Sequence, residues 1–375
     1  MGINNAILSY FPKLQEKDKG SFFLNIFVLL QIVGFIIAII VYFTYGFSLA
    51  ENNLIFNKKI ILLLSIYIFL YSPTLIIETK YIIQKSYNEL LKYGIAIYLL
   101  QFTLVLITII LFHDMHYVLA SMVVWIGARW LWTILFILRD ISTINVSMKL
   151  IKIFILFALP IIAHILLGNG MEFIDGILVE KNFESSMFSI YRYGAREFPI
   201  ILILIGALRS VMIPEAVENS VLAAEKIKRK TKKLILLFFP LAIVLIFISK
   251  YIFIAFYNED YGYSALLFNI YLLIISSRII LSEVFIYAKH KNKILMYVSF
   301  IELILNVGLS LILMRFYGIA GIAFATFIAF LISKIYLAFY TQRVLGLRLK
   351  DYLDLKVYLF FTTLLYLSFV IELII

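Results

Sequence analysis

The sequence predicts an all-α, polytopic integral membrane protein, and three observations carry that prediction. Of 375 residues, 64% are hydrophobic and only 15% charged, with a mean hydropathy of +1.03; soluble domains run near about 45–50% apolar and 25% charged. Apolar runs of spanning length, about 20 residues, recur along the whole chain. Lysine and arginine collect in every second connection between those runs, as topology in a bilayer demands.

The runs fall at 21–46, 60–79, 94–112, 117–138, 152–169, 187–213, 234–256, 262–287, 294–314, 318–341 and 354–375, giving about eleven transmembrane helices. Tight connections at His113–His116 and Arg315–Gly318 make antiparallel hairpins. One set of connections holds Lys13, Lys17 and Lys19; Lys80, Lys85 and Lys92; Arg139, Lys149 and Lys152; Lys226, Lys228, Arg229, Lys230, Lys232 and Lys233; Lys289, Lys291 and Lys293; and Arg343, Arg348, Lys350 and Lys356. The alternate set holds only Lys58, Lys59, Lys181 and Arg315. This bias predicts a cytoplasmic N-terminus and, with an odd number of spans, an external C-terminus. The residues after Met1 lack the series of a cleavable signal. The net charge of +11 is explained by these loops, so nucleic acid is not an expected partner. With no cysteine, disulfides, thiolate metal sites and a cysteine nucleophile are excluded.

Between the sixth and seventh runs, 214–233 reads as an amphipathic helix on the cytoplasmic surface. Val217, Val221 and Ala224 share one helical face, Ile227 lies at its edge, and Pro214 suits the first turn. A solvated charged connector is the alternative.

Five arginines sit inside or at the edges of the apolar runs: Arg129, Arg192, Arg196, Arg209 and Arg278. An arginine at the bilayer centre costs roughly 2.5–3.5 kcal/mol on insertion scales, so these are expected to face a polar interior and meet an anion. Arg192 and Arg196 are four residues apart and would stack on one helical face. Arg209, thirteen residues further on, would be about 140° away on a straight helix. It joins them only if the helix breaks, and Pro199 or Gly206 could supply the break. The competing reading is an arginine–acid network, for example Arg196 with Glu197 or Asp175, that merely locks helices together.

Four acids lie in or near the membrane: Glu78, Asp175 (just past the outer end of its run), Glu283 and Glu302. They are candidates to couple transport to a proton or sodium gradient, or to serve as charge partners. Glu283 is too far round an ideal helix to pair with Arg278. Lys250 and Lys334 are expected to snorkel from helix ends. The HDMH turn with His113, Asp114 and His116 is too cramped for a metal site. Mid-span His164 suits a helix-packing hydrogen bond better than a catalytic base. No phosphate-binding loop of the GxxxxGK[ST] type is present, and no cofactor is expected.

At these residues the chain resembles a known family. The stretch DGILVEKNFESSMFSIYRYGAREFPI, and the opening GINNAILSYFPKL, are similar to bacterial O-antigen and oligosaccharide-lipid flippases. These belong to the multidrug/oligosaccharidyl-lipid/polysaccharide exporter superfamily. The resemblance implies two pseudo-symmetric helical lobes: residues 1–150 as an N-lobe lacking its first two helices, 151–345 as a C-lobe, and 346–375 as an extra helix. It further implies translocation of undecaprenyl-diphosphate-linked oligosaccharide from the cytoplasmic to the outer leaflet of the inner membrane, by alternating access through a cationic cavity. Arg192 and Arg196, in the family-like segment, would bind the diphosphate; Arg129, Arg209 and Arg278 join them only by their position within the membrane. Tyr191, Tyr193 and Tyr263 would stack on sugars, although tyrosines also anchor helices at interfaces. Expected partners are the lipid-linked oligosaccharide, the bilayer, and a polysaccharide polymerase or ligase. The alternatives are a membrane-embedded transferase or polymerase, which the short external connections near 170–186 disfavour, and an exporter of another substrate.

Overall fold

The structure, a computed structural model, describes residues 2–51, 58–139 and 145–374. Parts of the connections expected at 47–59 and 139–151, the side chain of Lys17 and the last residue of the final run lie outside the described residues. Among the described residues regular structure is helical throughout. Among the described residues ten helices are long and apolar enough to cross a membrane, and the number reaches eleven if a bent pair, Glu259–Arg278 with Ser282–Ala288 at 47°, counts as one broken span.

Helix α1 (Gly2–Tyr10) opens the chain and ends where Pro12 enters a short 3-10 turn. Residues Tyr10–Leu156 form one compact unit. In it α2 (Glu16–Glu51) packs on α3 (Lys58–Thr74), α3 on α6 (Met115–Leu138), and α5 (Tyr87–Phe112) on α6, with α4 (Ile76–Ile83) against α5. The HDMH turn is local backbone chemistry: His113 takes the left-handed conformation that stops α5. Asp114 then caps α6, accepting from the backbone N–H of His116 at 2.9 Å. Lys80, assigned above to a loop, is buried instead. Its ammonium donates to the Phe136 carbonyl at 2.9 Å and lies 4.2 Å from the Phe136 ring centre, which together replace lost hydration.

Residues Met1–Ser9 and Phe157–Ile375 form the second compact unit. It comprises α7 (Met148–Asn182, from Phe157 onward), α8 (Ser185–Gly194), α9 (Pro199–Glu218), α10 (Ser220–Phe256), α11 (Gly262–Leu273), α12 (Ile275–Arg278), α13 (Ser282–Ala288), α14 (Asn292–Tyr317), α15 (Ile319–Leu345), α16 (Leu349–Tyr352) and α17 (Leu355–Ile374). The closest pairings are α14 with α15, α10 with α17, and α10 with α11.

Three expectations are corrected here. The connection near 170–186 is mostly helix, because α7 runs unbroken for 35 residues, about 52 Å at 1.5 Å per residue. The run 187–213 is two helices, α8 and α9, rather than one. The amphipathic helix at 214–233 does not exist as a separate element. Pro214 lies in α9, Asn219 ends that helix, and its Oδ1 caps α10 by accepting from Val221 and Leu222 N–H at 3.0 and 3.1 Å. Val221 is 62% exposed while Ala223, Ala224, Ile227 and Thr231 are buried, so the burial stripe belongs to the start of α10 and is rotated from the expected face.

Candidate functional site

The family-like segment YRYGARE is shaped by one glycine. A Cβ on Gly194 would sit 2.4 Å from the Ser264 carbonyl oxygen, so only glycine lets the end of α8 rest on the start of α11. Ser264 Oγ donates to the Ile190 carbonyl across that contact at 2.8 Å. α8 therefore stops at Gly194, residues 195–198 are a linker, and α9 begins at Pro199. Arg192 and Arg196 are both exposed but do not stack on a common helical face, since Arg196 lies in the linker and its Nε donates to the Arg192 carbonyl at 3.0 Å. Arg209 is on another helix. The break expected between them occurs just before Pro199, whereas Gly206 lies inside unbroken α9 with open space around it.

Beyond this linker, the second unit buries a network of charges. Glu283 of α13 holds two cations, with Arg209 Nε 3.2 Å from one carboxylate oxygen and Lys334 Nζ on the other. Lys334 is 4% exposed, so it does not snorkel; α15 carries it inward and the carboxylate neutralises it. Arg278 makes a bidentate pair with Glu197, Nε to Oε2 at 2.9 Å and an η nitrogen to Oε1 at 2.5 Å. Its guanidinium stacks 4.0 Å from the Phe330 ring centre. Glu197 is thus the partner of Arg278 and not of Arg196. Glu302 is buried on α14, one turn from Ser299, whose hydroxyl meets His164 Nδ1 at 2.5 Å. His164 takes the helix-packing hydrogen bond that the sequence suggests.

A separate group in this unit is made of oxygen atoms. Asp175 is fully buried within α7, not beyond its end. Thr326 Oγ1 of α15 donates to Asp175 Oδ2 at 2.7 Å, and Asn306 Nδ2 of α14 donates to Thr326 Oγ1 at 2.9 Å. Asp175 Oδ1, Asn306 Oδ1 and the Ser310 hydroxyl one turn further along α14 are buried without a hydrogen-bond partner. Buried polar atoms are nearly always paired, so these three oxygens stand out among the described residues.

Tyr191 is 4% exposed and faces Tyr271 hydroxyl to hydroxyl at 3.4 Å. It is therefore a core residue and cannot stack on a sugar from this position. Tyr193 and Tyr263 are exposed, and Tyr193 joins an aromatic group with Tyr257 and Tyr261 at 4.9 and 5.7 Å. Lys250 is exposed. In the first unit, buried Arg129 donates through Nε to Tyr93 Oη at 2.9 Å and through an η nitrogen to Glu78 at 3.0 Å, and Tyr98 Oη also donates to Glu78 at 3.2 Å.

Sequence reasoning missed Lys334 as a buried partner and missed Asn306, Ser310 and Thr326 altogether. A lysine in the middle of the run 318–341, and polar side chains four apart in the run 294–314, were the available signals.

A profile of the family described as "Lipid II flippase MurJ" matches residues 2–375. Solved structures with similar folds include a MATE transporter, VcmN, of Vibrio cholerae in a mutant form. It has a TM-score of 0.74 and 13% identity, covering 93% of this chain and 85% of that one. A lipid II flippase MurJ in an inward closed conformation matches with a TM-score of 0.61 and 18% identity over 100% of this chain and 85% of that one. An outward-facing multidrug resistance MATE transporter of the MOP superfamily matches at 0.70 and 15%, covering 93% and 84%. No curated protein sequence matches closely enough to count as a relative.

Proposed function

The chain belongs to the lipid II flippase MurJ family, a family of multi-pass membrane transporters and not enzymes, and from that premise we propose that it flips a lipid-linked saccharide diphosphate between leaflets by alternating access. Lipid II is the first substrate to test because the family is described by it; an O-antigen unit shares the same diphosphate and polyprenyl chemistry and is the second. The observation that carries this reading is a pair of guanidinium groups deep in an apolar helical unit, Arg209 and Arg278. Their side chains keep 20% and 21% exposure while the buried Glu283 and the part-buried Glu197 hold them. A guanidinium fork that pairs bidentately with Glu197 fits a phosphate in the same way. Binding therefore becomes an exchange of partners, in which diphosphate takes over donors that Glu197 and Glu283 release. Exposed Arg192 and Arg196, one on each side of Gly194, make the first contact. The reading places the protein in the cytoplasmic membrane with its N-terminus in the cytoplasm, handing its cargo to a polymerase or ligase outside.

The Asp175–Thr326–Asn306–Ser310 group supports a coupling site. Its buried carboxylate, amide and hydroxyl oxygens are the hard donors that sodium takes, so sodium is the proposed coupling ion.

Complementation tests the substrate. Rescue of cells depleted of their lipid II flippase assigns lipid II, and rescue only of cells lacking an O-antigen flippase assigns that unit. Rescue of neither, at normal membrane levels and with the cognate glycan supplied, refutes the proposal.

A further inference from the structure

We propose that the far end of α15 carries a binding site for an anionic phospholipid, with a phosphate-recognising pocket for the headgroup and an apolar helical stripe for an acyl chain. A cavity of about 440 Å³ opens there, lined by Phe339, Gln342, Arg343, Gly346 and Arg348. The backbone builds it. Gly346 at φ +74 stops α15 in the left-handed conformation, and the chain turns back so that Arg348 starts α16, its N–H donating to Asp351 Oδ2 at 2.8 Å. The turn brings Arg343 and Arg348 to one cavity from its two sides. Among the described residues no carboxylate lies within ion-pair distance of either guanidinium, in contrast to Arg209 and Arg278, which are both paired.

Below the cavity, α15 presents Ile332, Tyr336 and Phe339 at 45%, 46% and 55% exposure. At 100° per residue these three and Arg343 fall within about 60° of one helical face. They form a straight apolar track that ends at a guanidinium, and Arg343 lies 5.8 Å from the Phe339 ring centre. A chain laid along this track delivers its phosphate to the fork donors of Arg343 and Arg348. The surroundings favour an anion as well. Lys228 Nζ reaches the Lys350 carbonyl at 2.7 Å, so the lysine-rich start of α10 adjoins α16. Of that lysine group Lys226 and Lys232 are paired with acids, Glu215 and Asp354. Basic pockets between membrane helices recognise anionic headgroups by this combination of charge and apolar contact. The site lies apart from the arginines assigned to the transported substrate and does not depend on that assignment.

The test uses the purified, delipidated full chain and native mass spectrometry with phosphatidylglycerol and phosphatidylethanolamine. Phosphatidylglycerol is expected to bind preferentially. R343Q/R348Q should weaken its binding about 30-fold, on the basis of two surface cations each contributing about one kcal/mol. K230Q/K233Q, which removes the same charge from the neighbouring surface, should change it less than about threefold, and Phe339→Ala should weaken it while leaving the charge intact. Glycerol phosphate, which lacks the chains, should not displace the lipid. Equal retention of both lipids, equal loss in both double variants, or displacement by glycerol phosphate would each overturn the proposal.

Discussion

Removing Glu283 should damage this protein more than removing the cations it holds, and the magnitude follows from burial. The Glu283 side chain is 3% exposed and bridges Lys334, at 5%, and Arg209, at 20%. Glu283→Gln leaves Lys334 as a buried ammonium without its counter-charge, and breaking such a pair costs about 3–5 kcal/mol. Lys334→Met leaves a buried carboxylate that still has Arg209, so its cost should fall at or below the lower end of that range. The double variant Glu283→Gln/Lys334→Met removes both buried charges, and isosteric replacement of a buried pair is often near neutral. It should therefore be at least about 2 kcal/mol more stable than the sum of the single variants predicts. Arg209 keeps enough exposure to be hydrated in the double variant, so its lost partner matters less. Unfolding of the four proteins in one mixed-micelle system, followed by loss of helical signal, measures the cycle. Strict additivity would refute the claim that Glu283 and Lys334 form a coupled buried pair.

Gly194→Ala should destabilise by about 1–3 kcal/mol, because its Cβ meets the Ser264 backbone, whereas Gly206→Ala in open space should stabilise α9 by about 1 kcal/mol; thermal unfolding compares the two, and equal effects would contradict the packing described at α8. Arg192→Ala/Arg196→Ala should abolish complementation at unchanged membrane levels, since both side chains are exposed; full activity would remove them from the anion site. Sodium, but not potassium at equal ionic strength, should raise the unfolding temperature of the wild type and not of Asp175→Asn. At the start of α17, the hydrogen bond from Lys232 and the backbone bond at Val357 hold the Asp354 carboxyl below its ordinary 3.8. A depressed carboxyl stabilises the fold above its unfolded value and loses that contribution as pH falls through the folded one. Asp354→Asn should therefore lower stability at neutral pH by that contribution and flatten its loss below about pH 4, so that the two proteins converge in acid, as acid titration of both would reveal.

The sequence by itself determined that the chain is helical and membrane-embedded, and nearly where each span lies. Length, hydropathy and loop charge act locally, and a run such as 318–341 must be a helix wherever it packs. It also exposed the costly residues, because an arginine such as Arg278 in an apolar run is conspicuous without any structure. Tertiary structure alone decided their partners. Glu197 and Arg278 are 81 residues apart, and Asp175 and Thr326 are 151 apart, distances over which helical periodicity carries no information. The same holds for Gly194, whose role depends on the backbone of α11 arriving against it. It holds also for the 214–233 stretch, where one Asn219 cap outweighed an amphipathic pattern. Spans are fixed by the exchange of water for lipid along one segment, whereas sites are fixed by which segments the fold brings side by side.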